Sequence, residues 1–99
     1  MIKLETTIIE LAEQFCVEAE AFENDRKNPP PSITKLAERR GMDVDAYIRK
    51  KTASVGQKAF TLCLLAEDSS GLTDGARSQL KAINQRLIDL FASARADAL

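Results

Sequence analysis

Apolar residues return every three or four positions through most of this chain, and that period narrows its choice of fold more than any other feature. From Ile2 to Phe22, the residues Leu4, Ile8, Leu11, Phe15, Ala19 and Phe22 step by four, three, four, four and three. This is the spacing of one helix face. Glutamates (Glu5, Glu10, Glu13, Glu18, Glu20) occupy the opposite side. Val44, Ile48, Val55, Ala59, Leu62 and Ala66 keep the same helical period. Near the end, Ala76, Leu80, Ile83, Leu87, Leu90 and Ala94 alternate steps of four and three, the spacing of a coiled-coil seam. No segment alternates convincingly with period two, so no strand is expected.

Helix-breaking residues divide this period into four helices, near 2–23, 33–40, 44–66 and 73–95. "NDRKNPPPS", residues 24–32, should end the first helix, because three prolines remove backbone donors and push the residues before them out of helical angles. It reads as a stiff, extended connector. Ser32 is placed to cap the short second helix, and Gly41 supplies the left-handed residue that follows its end. Asp43 can cap the third helix, with Asp45 in its first turn at the positive end of the dipole. "EDSSGLTDG", residues 67–75, is a loop by composition, and Thr73 can cap the last helix. Gly56 falls inside the third helix, where glycine costs about 1 kcal/mol relative to alanine, so either close packing or a kink is expected there. The predicted fold is all-α: a small four-helix domain, one helix short, with residues 1–99 forming a single unit. Its core should take Ile8, Leu11, Phe15, Phe22, Leu36, Ile48, Val55, Phe60, Leu62, Leu65, Leu80, Ile83, Leu87 and Phe91.

Most chemistry is argued against by what the chain lacks. It has no histidine, so nucleophile–histidine arrangements are absent, and nothing has zinc-site spacing. Glycines 41, 56, 71 and 75 are scattered rather than gathered into a phosphate-cradling loop. Glu10 with Glu13 and Glu18 with Glu20 lie on a periodic polar face that solvation explains. Cys16 and Cys63 sit in apolar helical contexts; buried reduced thiols are the main expectation and a disulfide is the alternative. The longest apolar run, Phe60 to Ala66, is too short to span a bilayer, and glutamates interrupt the N-terminal stretch. The expectation is a cytoplasmic, non-enzymatic protein without catalytic residues, metal, cofactor or membrane.

The formal net charge of −1 conceals an uneven distribution: residues 1–31 carry −4, residues 33–60 carry +4 and residues 61–99 carry −1. Phosphates respond to a local cluster rather than to the total. Lys35, Arg39, Arg40, Arg49, Lys50, Lys51 and Lys58 are therefore the candidate nucleic-acid contacts.

Within that basic third, "LAERRGMDVDAYIRKK", residues 36–51, resembles the helix-turn-helix half of ribbon-helix-helix proteins. It looks most like the MobC family of plasmid mobilisation accessory proteins. Gly41, Met42, Ala46, Tyr47, Ile48 and Arg49 fit that family's Gly-apolar-Ser-x-Ser-x-Tyr-apolar-Arg pattern, with Asp43 and Asp45 in place of its serines. "GLTDGARSQLKAINQRLIDLF" is similar to the family's leucine-spaced last helix. The resemblance implies a DNA-associated accessory or regulator of a mobile element. The family's DNA-reading strand has no counterpart, because "FENDRKNPPPS" stands in its place and consecutive prolines cannot pair in a ladder. Any DNA contact would then fall on phosphates, which position a protein without reading sequence.

Two functions follow. One is a helical protein-interaction module, an adaptor or inhibitor docking on another protein through its amphipathic helices, with Glu10, Glu13 and Glu20 as candidate partner contacts. The other is contact with duplex DNA through the basic segment. Unbroken apolar stripes on the first and last helices also predict a homodimer, since the short second helix cannot cover both.

Overall fold

The computed structural model describes the backbone of residues 2–67 and 71–98 and the side chains of residues 6–66 and 71–95. Four helices follow one another: α1 (Ile2–Lys27), α2 (Pro31–Arg39), α3 (Val44–Glu67) and α4 (Asp74–Ala98). The architecture is all-α, and no strand occurs among the described residues. Residues 68–70 of the expected loop and the Leu4 side chain lie outside the described residues.

The proline run is shorter as a connector than the sequence suggests. α1 continues to Lys27, past the residues expected to leave it, with Arg26 and Lys27 in its last turn at the negative end of the dipole. α2 begins at Pro31, and its N-cap is Pro30 in extended conformation, so Ser32 is not the cap. Proline suits the first helical position because the N–H it lacks would have no partner there. The carbonyl of Pro30 accepts from the N–H groups of Ile33 and Thr34 at 3.1 and 3.2 Å.

The other boundaries follow their capping residues. At the end of α2, the N–H of Met42 donates to the carbonyl of Ala37 and that of Gly41 to Glu38, both at 3.0 Å, while Gly41 takes a φ of +65°. This is a Schellman closure, which requires a left-handed residue at that point. Asp43 Oδ2 accepts from the Ala46 N–H at 3.3 Å and Thr73 Oγ1 from the Ala76 N–H at 3.2 Å, so both capping residues hold the turns expected of them.

α1 and α3 run antiparallel, since Arg26 near the end of one meets Asp45 near the start of the other. α4 returns antiparallel to α3, with Arg49 reaching the carbonyl of Ala94. The centre of this three-helix bundle is built from small residues: Ala12, Cys16, Ala59, Cys63 and Ala66 are fully buried with Leu80, Ile83 and Leu87. Short side chains let α1 and α3 approach closely, and this alters the expected core. Ile48, Leu80, Ile83 and Leu87 are buried as expected, and Ile8, Phe15, Phe22, Val55, Phe60, Leu62 and Phe91 are half-buried around the centre. Leu11 and Leu65, expected inside, are exposed because the close α1–α3 seam is already filled by alanine and cysteine and leaves the flanking leucines outside it; Leu36 is exposed too, since α2 packs through Ala37 and Ile33 instead. Gly56 resolves as close packing inside one continuous helix: a Cβ there would stand 2.5 Å from Phe91 Cζ. A second cluster of Ala37, Tyr47 and Ile48, flanked by Phe22, Ile33, Met42 and Val44, seats α2 across the end of the α1–α3 pair.

Neither cysteine is in a disulfide, and both side chains are buried. Cys63 Sγ lies 3.8 Å from the carbonyl of Leu80. Burial pushes the Cys16 thiol up to about 11, with Glu20 and Glu13 adding to the effect against the opposing pull of Arg86. A neutral, enclosed thiol of this kind is a poor nucleophile.

Candidate functional site

The seven candidate cations do not form one surface. Arg49 Nε donates to Asp45 Oδ2, one turn earlier on α3, at 2.6 Å, and a terminal nitrogen reaches α4 to donate to the carbonyl of Ala94 at 2.9 Å. Asp45 also accepts from Arg26 at 3.3 Å, and the hydrogen bond from Arg49 above all holds its carboxyl below the usual range. Lys58 lies over the Phe15 ring, 5.8 Å from its centroid. Lys35 and Arg39 are exposed on α2.

Arg40, Lys50 and Lys51 do converge. Tyr47, Lys50, Lys51 and Ser54 stand at positions i, i+3, i+4 and i+7 of α3, so they share one face of that helix. The Schellman turn brings Arg40 and Met42 to the same place, and the six residues line a concavity of about 100 Å³. Lys51 Nζ stands 5.6 Å from the centroid of the buried Tyr47 ring, a cation–π contact that fixes the ammonium at the rim. Among the described residues, no carboxylate pairs with Arg40, Lys50 or Lys51. The adjacent Asp43 carboxylate is turned back onto the Ala46 N–H. The i, i+3, i+4, i+7 spacing was available in the sequence, but the contribution of Arg40 depends on the turn between the helices.

Two of the three candidate acidic contacts are engaged inside the chain. Arg86 of α4 reaches across to α1 with its fork, donating to both carboxylate oxygens of Glu13 at 2.8 and 2.6 Å and to Glu20 at 2.5 Å. Glu13 and Glu20 are seven residues, two turns, apart on one face of α1, so a single guanidinium bridges them, and their hydrogen bonds raise the Arg86 pKa. Glu10 stays exposed beside an open depression of about 460 Å³ where the starts of α1 and α4 diverge.

An apolar flank, unmarked in the sequence, lies on the side of the α1–α3 pair away from α4. Leu11 is 40% and Leu65 65% exposed, and Phe15 and Leu62 are half-buried beside them. Leu11 and Phe15 are one turn apart on α1, as are Lys58, Leu62 and Leu65 in succession on α3, and the Lys58–Phe15 contact joins the two rows. α2 covers only the end of this groove, near Tyr47 and Ile48.

Near the end of α1, Glu23 is 5% exposed and accepts from Arg26 Nε at 2.8 Å through Oε1. Its other oxygen, Oε2, is buried without a hydrogen-bond partner among the described residues, beside a cavity of about 150 Å³ lined by Arg49, Thr52 and Phe91 among others. No group of three or more Cys, Asp or Glu side chains stands together to hold a metal ion among the described residues. None of the described helices is long and apolar enough to cross a membrane. Compared with known proteins, the chain matches no family model, no curated protein and no solved structure.

Proposed function

We propose that this chain is a non-enzymatic helical protein-interaction module whose docking surface is the open flank of α1 and α3, and that a second copy of the chain is the occupant of that flank. The carrying observation is the 65% exposure of Leu65 and 40% exposure of Leu11 beside half-buried Phe15 and Leu62. Contiguous apolar surface of this kind marks an interface on a water-exposed protein. The rim supports a like partner. Exposed Glu18 lies seven residues after Leu11 on α1, and exposed Lys58 lies seven before Leu65 on α3. A two-fold axis parallel to the helices sets Glu18 of one copy against Lys58 of the other. Interaction through Glu13 and Glu20 is the weaker variant, since Arg86 already neutralises them.

Sedimentation equilibrium tests the reading. The wild type should be dimeric at tens of micromolar, and Leu11→Ser with Leu65→Ser should be a monomer of unchanged helix content. A monomeric wild type refutes it.

The convergence of Arg40, Lys50 and Lys51 favours a second reading, contact with the phosphates of duplex DNA, as the resemblance to mobilisation accessory proteins implies. Lys35 and Arg39 would extend the contact along α2. Converting Arg39, Arg40, Lys50 and Lys51 to alanine should weaken binding equally for unrelated sequences and reduce the salt slope by about one unit for each lost contact. No salt-sensitive gel shift for the wild type at low salt refutes this reading.

A further inference from the structure

We propose that the concavity at the α2–α3 corner is a seat for the terminal phosphate of a small phosphate monoester. Three cations from two segments, Arg40 at the end of α2 and Lys50 with Lys51 on α3, border one space of about 100 Å³. Positive charges that border one space repel one another weakly through solvent, and a shared anion relieves that repulsion. The lining adds Ser54 and the phenol-bearing Tyr47, both able to donate to an oxyanion. Lys51 is held at the rim by the Tyr47 ring, and Tyr47 is itself fixed in the second core cluster, so this part of the seat is set before any ligand arrives.

The charge count selects among phosphates. A backbone phosphodiester carries one negative charge, and neighbouring phosphates on a strand need cations spread along it. A monoester carries close to two charges at pH 7, with a second pKa of about 6, and presents three terminal oxygens. Three donors of positive charge around one small space match the monoester better than the diester. Arg40 can engage two of its oxygens through its planar fork, and the two ammonium groups act as point charges on the third. This inference requires neither the dimer nor the duplex reading, although it shares residues with the latter.

The test is an NMR titration of the full chain, following backbone amides, with inorganic phosphate, a monoalkyl phosphate, dimethyl phosphate, sulfate and a mixed-sequence duplex. Phosphate and the monoester should give saturable shifts confined to residues around Arg40, Lys50, Lys51 and Ser54. Dimethyl phosphate should bind about tenfold more weakly or worse, a loss of about 1.4 kcal/mol. Affinity for the monoester should rise between about pH 5.5 and 7.5 as the second proton leaves, while affinity for sulfate, already a dianion, should stay level. Arg40→Ala and Lys51→Ala should each weaken the monoester about tenfold with an anion-free melting midpoint no lower than that of the wild type, and Arg40→Lys should recover only part of the affinity. Absence of saturation, equal binding of dimethyl phosphate, or shifts that survive both alanine variants overturns the proposal. Duplex that binds the same corner more tightly than the monoester, with no preference for the dianion, overturns it in favour of the backbone reading alone.

Discussion

Gly56→Ala tests the packing of α3 against α4 most directly, because two effects of opposite sign meet at one atom. In an exposed helix the substitution would stabilise by about 1 kcal/mol, the propensity difference between the two residues. Here the new Cβ would lie 2.5 Å from Phe91 Cζ and 3.1 Å from Cε1. Ordinary carbon contacts begin near 3.5 Å, so the ring has to retreat by about 1 Å. Phe91 is half-buried and can move outward, but doing so opens its contact with the core; such overpacking costs about 1 to 3 kcal/mol. The net expectation is a loss of up to about 2 kcal/mol after the propensity gain is offset. For a chain of this size each kcal/mol lowers the melting midpoint by about 4 to 8 °C. In a Phe91→Ala background the obstruction is gone, and Gly56→Ala should then stabilise by up to about 1 kcal/mol. The sign change is the prediction. A double-mutant cycle by urea denaturation, with equal m-values across the four proteins, measures it. Equal stabilisation in both backgrounds would show that Phe91 does not lie over Gly56.

Three further outcomes follow from charged and titratable groups. Arg26→Ala should cost about 3 to 5 kcal/mol in chemical denaturation, since it leaves the 5% exposed Glu23 uncompensated; replacing both residues by methionine should recover most of the loss, and failure to recover would argue against a pair enclosed by packing. Arg86→Ala should cost only about 0.5 to 1.5 kcal/mol, diminishing in high salt, because its pairs with Glu13 and Glu20 are over a third exposed. The buried Cys16 thiol, held up to about 11, keeps its proton where an unfolded thiol near 8.5 has lost it, so its contribution to stability is complete below about pH 8.5 and declines toward pH 11. The stability difference between wild type and Cys16→Ala should show that slope, and a thiol reagent at pH 8 should label Cys16 only on unfolding.

The sequence was sufficient for helix type, number and most boundaries, because these depend on local chemistry. Steps of three and four specify a helix face, and Asp43, Thr73 and Gly41 act on backbone groups within a few residues of themselves. The proline run misled at this same local level: proline excludes a helix interior but is well suited to a helix start, so α2 opened on Pro31 instead of Ser32.

What required the tertiary structure was which side chains the helices share. Periodicity marks an apolar stripe but not its width, and the close seam of Ala12, Cys16, Ala59 and Cys63 displaced Leu11 and Leu65 to the outside, creating the flank proposed as an interface. Likewise, charge counts along the chain grouped seven cations and three glutamates by proximity in sequence. Helix rotation and the crossing of α4 then brought Arg49 to the carbonyl of Ala94, gave Glu13 and Glu20 to Arg86 some seventy residues away, and left Arg40, Lys50 and Lys51 bordering one concavity. A residue's helical state depends on its near neighbours, whereas its charge acts on whatever packing brings within a few ångströms, and only the folded chain specifies that.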